Sequence, residues 1–214
     1  MPCGLPIVPG PSNYQKAYEL AFDMAKEQLL RKDIEQVCDR SGATLKKQDK
    51  QQIITFRYLG DTYYLTLPEV LFSSEKDDFV LPIRQQVLIL HYLNKAGGSP
   101  LSGRLITFKE LPTGANYERN FFQRVTRPMV KQFAGEPKTL LLKSKTIGGK
   151  EADFGDASVI IPALPRIPVT FVLWQASDEF PADGNILFDG SVSDYLSTED
   201  VVVLGESIAQ RLLS

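Results

Sequence analysis

The sequence predicts an α+β fold, with one or more antiparallel sheets and several packed helices, in a single compact domain over residues 13–214 behind a Pro-rich arm over residues 1–12. Three observations predict it. The apolar period is helical at the start of the chain, switches to two between Ala43 and Leu67, and a second group of strand-like runs ends in a capped helix.

Taken in order, Tyr14, Ala17, Tyr18, Ala21, Phe22, Ala25, Leu29 and Leu30 recur at helical spacing behind Ser12, a favoured N-cap. They predict a helix of about five turns that breaks near Lys32, resumes to Val37 and ends at Gly42. Ile54, Phe56 and Tyr58 then alternate with Thr55 and Arg57, Gly60-Asp61 supplies a tight turn, and Thr62 to Leu67 returns as a second strand. Pro82 opens the best-marked helix, whose interior QQVLILHYLNKA has no breaker before Gly97-Gly98. It is apolar nearly all round and should be buried. LITFKEL at 105–111 reads as a short strand or the lead into a loop around Pro112-Thr113-Gly114. Helices fill 116–147, punctuated by Pro128 and Pro137 and closed by Gly148-Gly149. Strand candidates follow at 151–154, 157–161, 168–174 and 185–188, and Ser197 with Asp200 makes a capping box for the last helix.

Composition bounds the function classes. With 214 residues, 43% of them hydrophobic and 23% charged, the chain is long enough to bury a core. No stretch approaches the roughly 18 consecutive apolar residues of a membrane span. The start MPCGLPIVPGPS lacks the basic-then-apolar pattern of a secretion leader, so the protein is expected to be cytoplasmic with no membrane partner. Cys3 and Cys38 show no metal-type spacing, and no iron–sulfur cluster is expected from this chain. The net charge of −2 hides an asymmetry, because residues 1–150 carry 22 Lys/Arg against 15 Asp/Glu while residues 151–214 carry 2 against 11. Residues 95–150 alone hold 11 basic and 3 acidic side chains, which suits an anionic ligand or partner.

Chemistry-bearing candidates are few. His91 is the only histidine, mid-helix; a hydrogen-bonded core or cleft residue is the plain reading, a ligand or general base the sharper one. Nothing like G-x-S-x-G accompanies it. YERNFFQRVTRP at 117–128 interleaves Tyr117 and Phe121 with Arg119, Arg124 and Arg127, either to bind an anionic ring system or as an amphipathic helix with a basic outer face and Phe121, Phe122 and Val125 in the core. The pI near 5.6 argues against nucleic acid. The strand ending at the single tryptophan, Trp174, runs into an acidic loop with Asp178, Glu179, Asp183 and, further on, Asp189. Such crowding calls for salt bridges to the basic middle segment, a cationic partner or a divalent ion, although the spacing does not match the D-x-D-x-D-G calcium loop. Asp156, in FGDAS, reads as a turn signal.

VLPIRQQVLILHYLNKAGG, LITFKELPTGANY, FGDAS, ALPRIPVTFVLW, DEFPADGNILFD and YLSTEDVVVLGE, in that order, resemble domain-of-unknown-function family 3786 over residues 15–213. The resemblance implies a protein of anaerobic bacteria or archaea that live by corrinoid-dependent methyl transfer, acetogenesis or sulfate reduction. Some relatives carry an appended cysteine-rich iron–sulfur segment, whose cysteines are absent from this chain. The leading expectation is a non-enzymatic binding protein serving one-carbon or redox metabolism. Its ligand would be an anionic cofactor, a corrinoid or other tetrapyrrole, or an acidic protein partner, with His91 as axial ligand, Tyr117, Phe121 and Trp174 around the ring and the three arginines neutralising acidic groups. The alternatives are a carboxylate- or metal-dependent enzyme using the 178–189 loop, and a structural interaction module. The acidic loop is expected to meet the basic middle segment along a usable crevice.

Overall fold

The computed structural model describes residues 11–48, 51–76 and 81–214; the predicted arm lies outside them up to Gly10. The class is α+β, built on two antiparallel sheets. The first is a meander in the order β1 (Thr44–Gln48), β2 (Gln51–Tyr58), β3 (Asp61–Leu67) and β4 (Leu71–Ser74). Period-two burial puts Ile54, Phe56 and Tyr58 on the same face as Tyr63, Leu65 and Leu67. Ile54 lies opposite Leu65 and Phe56 opposite Tyr63, so the middle of the hairpin pairs apolar side chains across the strands, while Tyr58 at its turn lies opposite Asp61 and Leu67 at its open end opposite Gln52.

The second sheet runs in the order β5 (Leu105–Thr107), β9 (Asp183–Asp189), β8 (Ile167–Trp174), β7 (Ala157–Leu164) and β6 (Lys150–Ala152). Its central strand β8 is covered on both faces, which is why IPVTFVLW reads as a continuous apolar run rather than an alternation. The sheets are stitched where Leu59 N donates to Ala163 O at 3.1 Å, from the β2–β3 turn to β7.

The first helix begins at Pro11, ahead of the expected cap at Ser12, and α1 (Pro11–Leu30) packs on α3 (Ile83–Lys95). The break comes over residues 31–33, where Asp33 accepts from Glu35 N and Gln36 N and starts a separate α2 (Ile34–Ser41). Gly42 ends α2 at φ 72°.

Pro128 does not break its helix. α4 (Gly114–Phe121) passes through one π turn (Phe122–Thr126) into α5 (Arg127–Phe133), with Arg127 N donating to Phe122 O. Phe121, Val125, Met129 and Phe133 are all buried, at a spacing of four. An ideal helix drifts by about 40° over each such step, and the wider turn, which falls just before the proline that lacks an N–H, takes up the slack. Pro137 opens α6 (Pro137–Lys145), and the Ser197/Asp200 capping box opens α7 (Thr198–Leu213) as expected.

Three polar side chains lock α3 antiparallel to α7 and its lead-in. Arg84 pairs with Glu206 at 2.5 Å, His91 Nδ1 lies 2.8 Å from Asp200 Oδ1, and Lys95 Nζ donates to Ser193 O and Leu196 O at 2.7 and 2.8 Å.

Candidate functional site

The buried run of β8 stops at Leu173, and Trp174 is its first exposed residue, opposite Asp183 on β9. The turn before β7 is clasped against this strand end: Asp156 N donates to Leu173 O at 2.9 Å, and Gln175 N donates back to Asp156 Oδ2 at 2.7 Å. Gly155, at φ 57°, makes that approach feasible, because a Cβ there would lie 2.7 Å from Leu173 O and 3.2 Å from the Trp174 indole nitrogen. Gln175 Nε2 reaches Ala134 O at the end of α5. In the loop beyond, Ser177 Oγ accepts from Phe180 N at 3.1 Å and Ser177 N donates to Phe180 O at 2.9 Å, a turn that presents Phe180 outward.

These elements enclose an open hollow of about 810 Å³ lined by Phe122, Asp156, Trp174, Gln175, Phe180 and Asp183, among others. Its size lies within the roughly 300–1,000 Å³ of small-molecule sites. Three aromatic rings stand exposed around it: Phe122 at 38%, Trp174 at 42% and Phe180 at 69%. Its lining carries carboxylates and no Lys or Arg.

Of the predicted site residues, Trp174 and Asp183 line this hollow. Asp178 and Glu179 are exposed on the same loop. The loop does meet the middle segment along this hollow, at Phe122, but the expected pairing of opposite charges across it is not formed. Among the described residues no Lys or Arg pairs with Asp178, Glu179 or Asp183, and the one ion pair from residues 95–150 into the acidic third is Arg124 to Glu206 at 3.5 Å, on an acid that Arg84 already holds. No group of three His, Cys, Asp or Glu among the described residues is arranged to hold a metal ion. Asp189 faces away from the loop: its carboxylate, 5% exposed, accepts from Ser102 N and Gly103 N at 2.8 Å, Ser191 N at 2.9 Å and Ser102 Oγ at 3.0 Å. Burial pushes this carboxyl up, but the N–H groups of Ser191 and Ser102 and the Ser102 hydroxyl outweigh it and hold the group well below the usual carboxylate range.

Phe121 is a core residue, stacked on Phe108 with ring centroids 4.1 Å apart and planes within 4°. Its exposed neighbour Phe122 faces the hollow instead. Tyr117 and Arg119 lie exposed on α4, and Arg127 is exposed with its guanidinium donating to Gln123 within the helix at 2.7 Å. The seven residues expected around a ring therefore do not converge on this one cavity. Sequence reasoning missed Phe122 and Phe180 and read Asp156 as a turn; the turn is real, and it also forms a wall.

His91 belongs to the α3–α7 lock. Its hydrogen bond to Asp200 raises the imidazole pKa above the ordinary 6.5, and burial opposes this. A raised folded-state pKa means that the pair stabilises fully below about pH 6.5 and that the contribution is lost as pH rises through the folded value. The melting-temperature gap between wild type and His91→Gln should thus be wide near pH 5.5 and narrow by about pH 9. A gap independent of pH would contradict the pairing.

No helix of the described residues is long and apolar enough to cross a membrane. No curated protein and no solved structure matches the chain. The family model described as "Domain of unknown function (DUF3786)" matches residues 33–211, from the cap of α2 into the last turn of α7, and α1 falls outside it. With the greater part of its length so matched, the chain belongs to that family.

Proposed function

We propose that the protein is a binding protein whose ligand lies in the Trp174 hollow, its flat or apolar body against Phe122, Trp174 and Phe180 and its cationic or amide groups turned to Asp156 and Asp183. The observation that carries this reading is the convergence of three exposed aromatic rings from three separate elements on one hollow of about 810 Å³. Exposed large aromatics scattered singly need no explanation; three around one concavity do.

The polar side chains of the site favour binding over proton transfer. Asp156 accepts from Gln175 N, Gln175 donates to Ala134 O, Asp183 Oδ1 accepts from Gly184 N at 2.8 Å, and Ser177 closes its own turn. Each shapes a wall, which leaves the rings and the second oxygens of Asp156 and Asp183 as the contact surface. The expectation of an anionic ligand came from the basic segment, and the lining of this hollow supplies no cation to meet one. Its carboxylates suit donors, so the tetrapyrrole version of the reading favours an amide-decorated corrinoid over a carboxylate-bearing haem.

Gel filtration of the protein with hydroxocobalamin tests that version. Co-elution of the visible absorbance with wild type, and its loss in Trp174→Ala, is the expected result. Absence of co-elution removes the corrinoid, and co-elution that survives Trp174→Ala counts against the hollow as its site.

A further inference from the structure

A second hollow, of about 490 Å³, opens where the two sheets are stitched together. Thr44, Thr55 and Arg57 of the β1–β2 pair, Lys150 of β6, and Pro162 and Leu164 of β7 line it. Its chemistry is opposite to that of the Trp174 hollow: the lining holds cations and no carboxylate. A third cation adjoins it, because the Arg166 side chain packs against Gly42, itself a lining residue, where a Cβ would lie 3.1 Å from Arg166 Nε.

Three cations from three elements thus gather at one cleft in a chain that has 26 acidic side chains for 24 basic ones. None of the three forms an ion pair among the described residues, although several exposed lysines and arginines elsewhere do. Like charges gathered without a counter-charge repel one another, and an anion between them relieves the repulsion. The donors are also varied. Arg57 Nη2 donates to Gly60 O at 3.0 Å, which anchors the guanidinium and leaves its other N–H groups for a ligand. Thr44 and Thr55 are direct cross-strand partners, so their side chains lie together on one face of the sheet. Phe56, Pro162 and Leu164 supply an apolar wall beside these donors.

We propose that this cleft binds a small organic phosphate, the phosphoryl oxygens held by Arg57, Lys150 and the two threonine hydroxyls, the organic part against Pro162 and Leu164. A phosphate offers several acceptor oxygens to a mixed set of N–H, ammonium and hydroxyl donors, and a cleft of this volume has room for a ring beside it. The site is separate from the Trp174 hollow and does not depend on what that hollow binds.

The test is an NMR titration of the full-length ¹⁵N-labelled protein with phenyl phosphate, benzoate and inorganic phosphate in turn. Phenyl phosphate should give saturable shifts at the amides of Thr44, Thr55, Gly148 and Lys150, and should bind more tightly than either benzoate or inorganic phosphate. Arg57→Ala and Lys150→Ala should each weaken it by roughly tenfold, Lys150→Arg should retain most of the affinity, and Trp174→Ala should leave it unchanged. Both cations are exposed, so the variants should melt with wild type, which separates lost binding from lost folding. Absence of saturable shifts at these amides overturns the proposal. So does undiminished binding in the Arg57→Ala/Lys150→Ala double variant, or benzoate or inorganic phosphate binding as tightly as phenyl phosphate.

Discussion

Asp189→Ala should cost about 3–5 kcal/mol of unfolding free energy, read by urea denaturation at neutral pH. The carboxylate is almost wholly buried, and three backbone N–H groups and one hydroxyl converge on it within 3.0 Å. Removing it leaves the donors of residues 102 and 103 and of the buried Ser191 without this acceptor, and at the buried Ser191 N–H that loss costs more than an ordinary hydrogen bond contributes. The effect should spread, since the same knot fixes the approach to β5 and the turn after β9, where Gly190 N donates to Arg104 O at 2.8 Å. Asp189→Asn should cost less, because one amide oxygen still accepts. Linkage supplies an independent check. The folded-state carboxyl lies below its unfolded value of about 3.9, so its contribution is complete at neutral pH and drains away as pH falls below about 4. The wild-type advantage over Asp189→Asn should shrink in acid; an advantage constant with pH would contradict the arrangement.

Phe121→Ala should cost a similar amount, about 3–5 kcal/mol, as expected for a fully packed phenyl ring. The ring lies face to face with Phe108 and tilts against Phe188 at 6.3 Å. On its remaining side a Cβ on Gly205 would come within 2.8 Å of it, so α7 approaches closely only because residue 205 has no side chain. The neighbouring substitution provides the contrast. Phe122→Ala, at an exposed ring on the Trp174 hollow, should change stability by under about 1 kcal/mol and weaken ligand binding instead. Equal destabilisation by the two variants would mean that the π turn does not separate a core ring from a site ring.

The helical and strand periods were legible because each rests on local chemistry. The Ser197/Asp200 box, the Gly60 turn, the alternation of Ile54, Phe56 and Tyr58, and the unbroken apolar run of β8 all act within a few residues of themselves. Pro128 misled because its tolerance depends on a π turn, and the clue to that turn, apolar residues four apart at 121, 125, 129 and 133, is a subtle departure from the ordinary period. β4 went unseen: LFSS is short, lies at a sheet edge and buries none of its side chains fully. The site was half legible. Trp174 and Asp183 stood out as an aromatic at a strand end and an acid in a loop, but what joins them to Phe122 and Asp156 is tertiary, since α5, the 153–156 turn and the 175–182 loop meet only in the fold. The charge asymmetry showed that a basic and an acidic part exist. It could not show that the basic helices would reach α7 through Arg124 while the acidic loop stayed open to solvent.

The central claim is that the Trp174 hollow is a ligand site that prefers positive charge. Because the chain has a single tryptophan, its indole N–H gives one resolved signal in a ¹⁵N–¹H spectrum, a probe inside the site itself. Titrated with benzamidine, that signal should shift to saturation, with weaker binding in Asp183→Asn, while benzoate, matched in size and opposite in charge, should leave it in place. An indole signal unmoved by benzamidine, or moved equally by benzoate, would contradict the account.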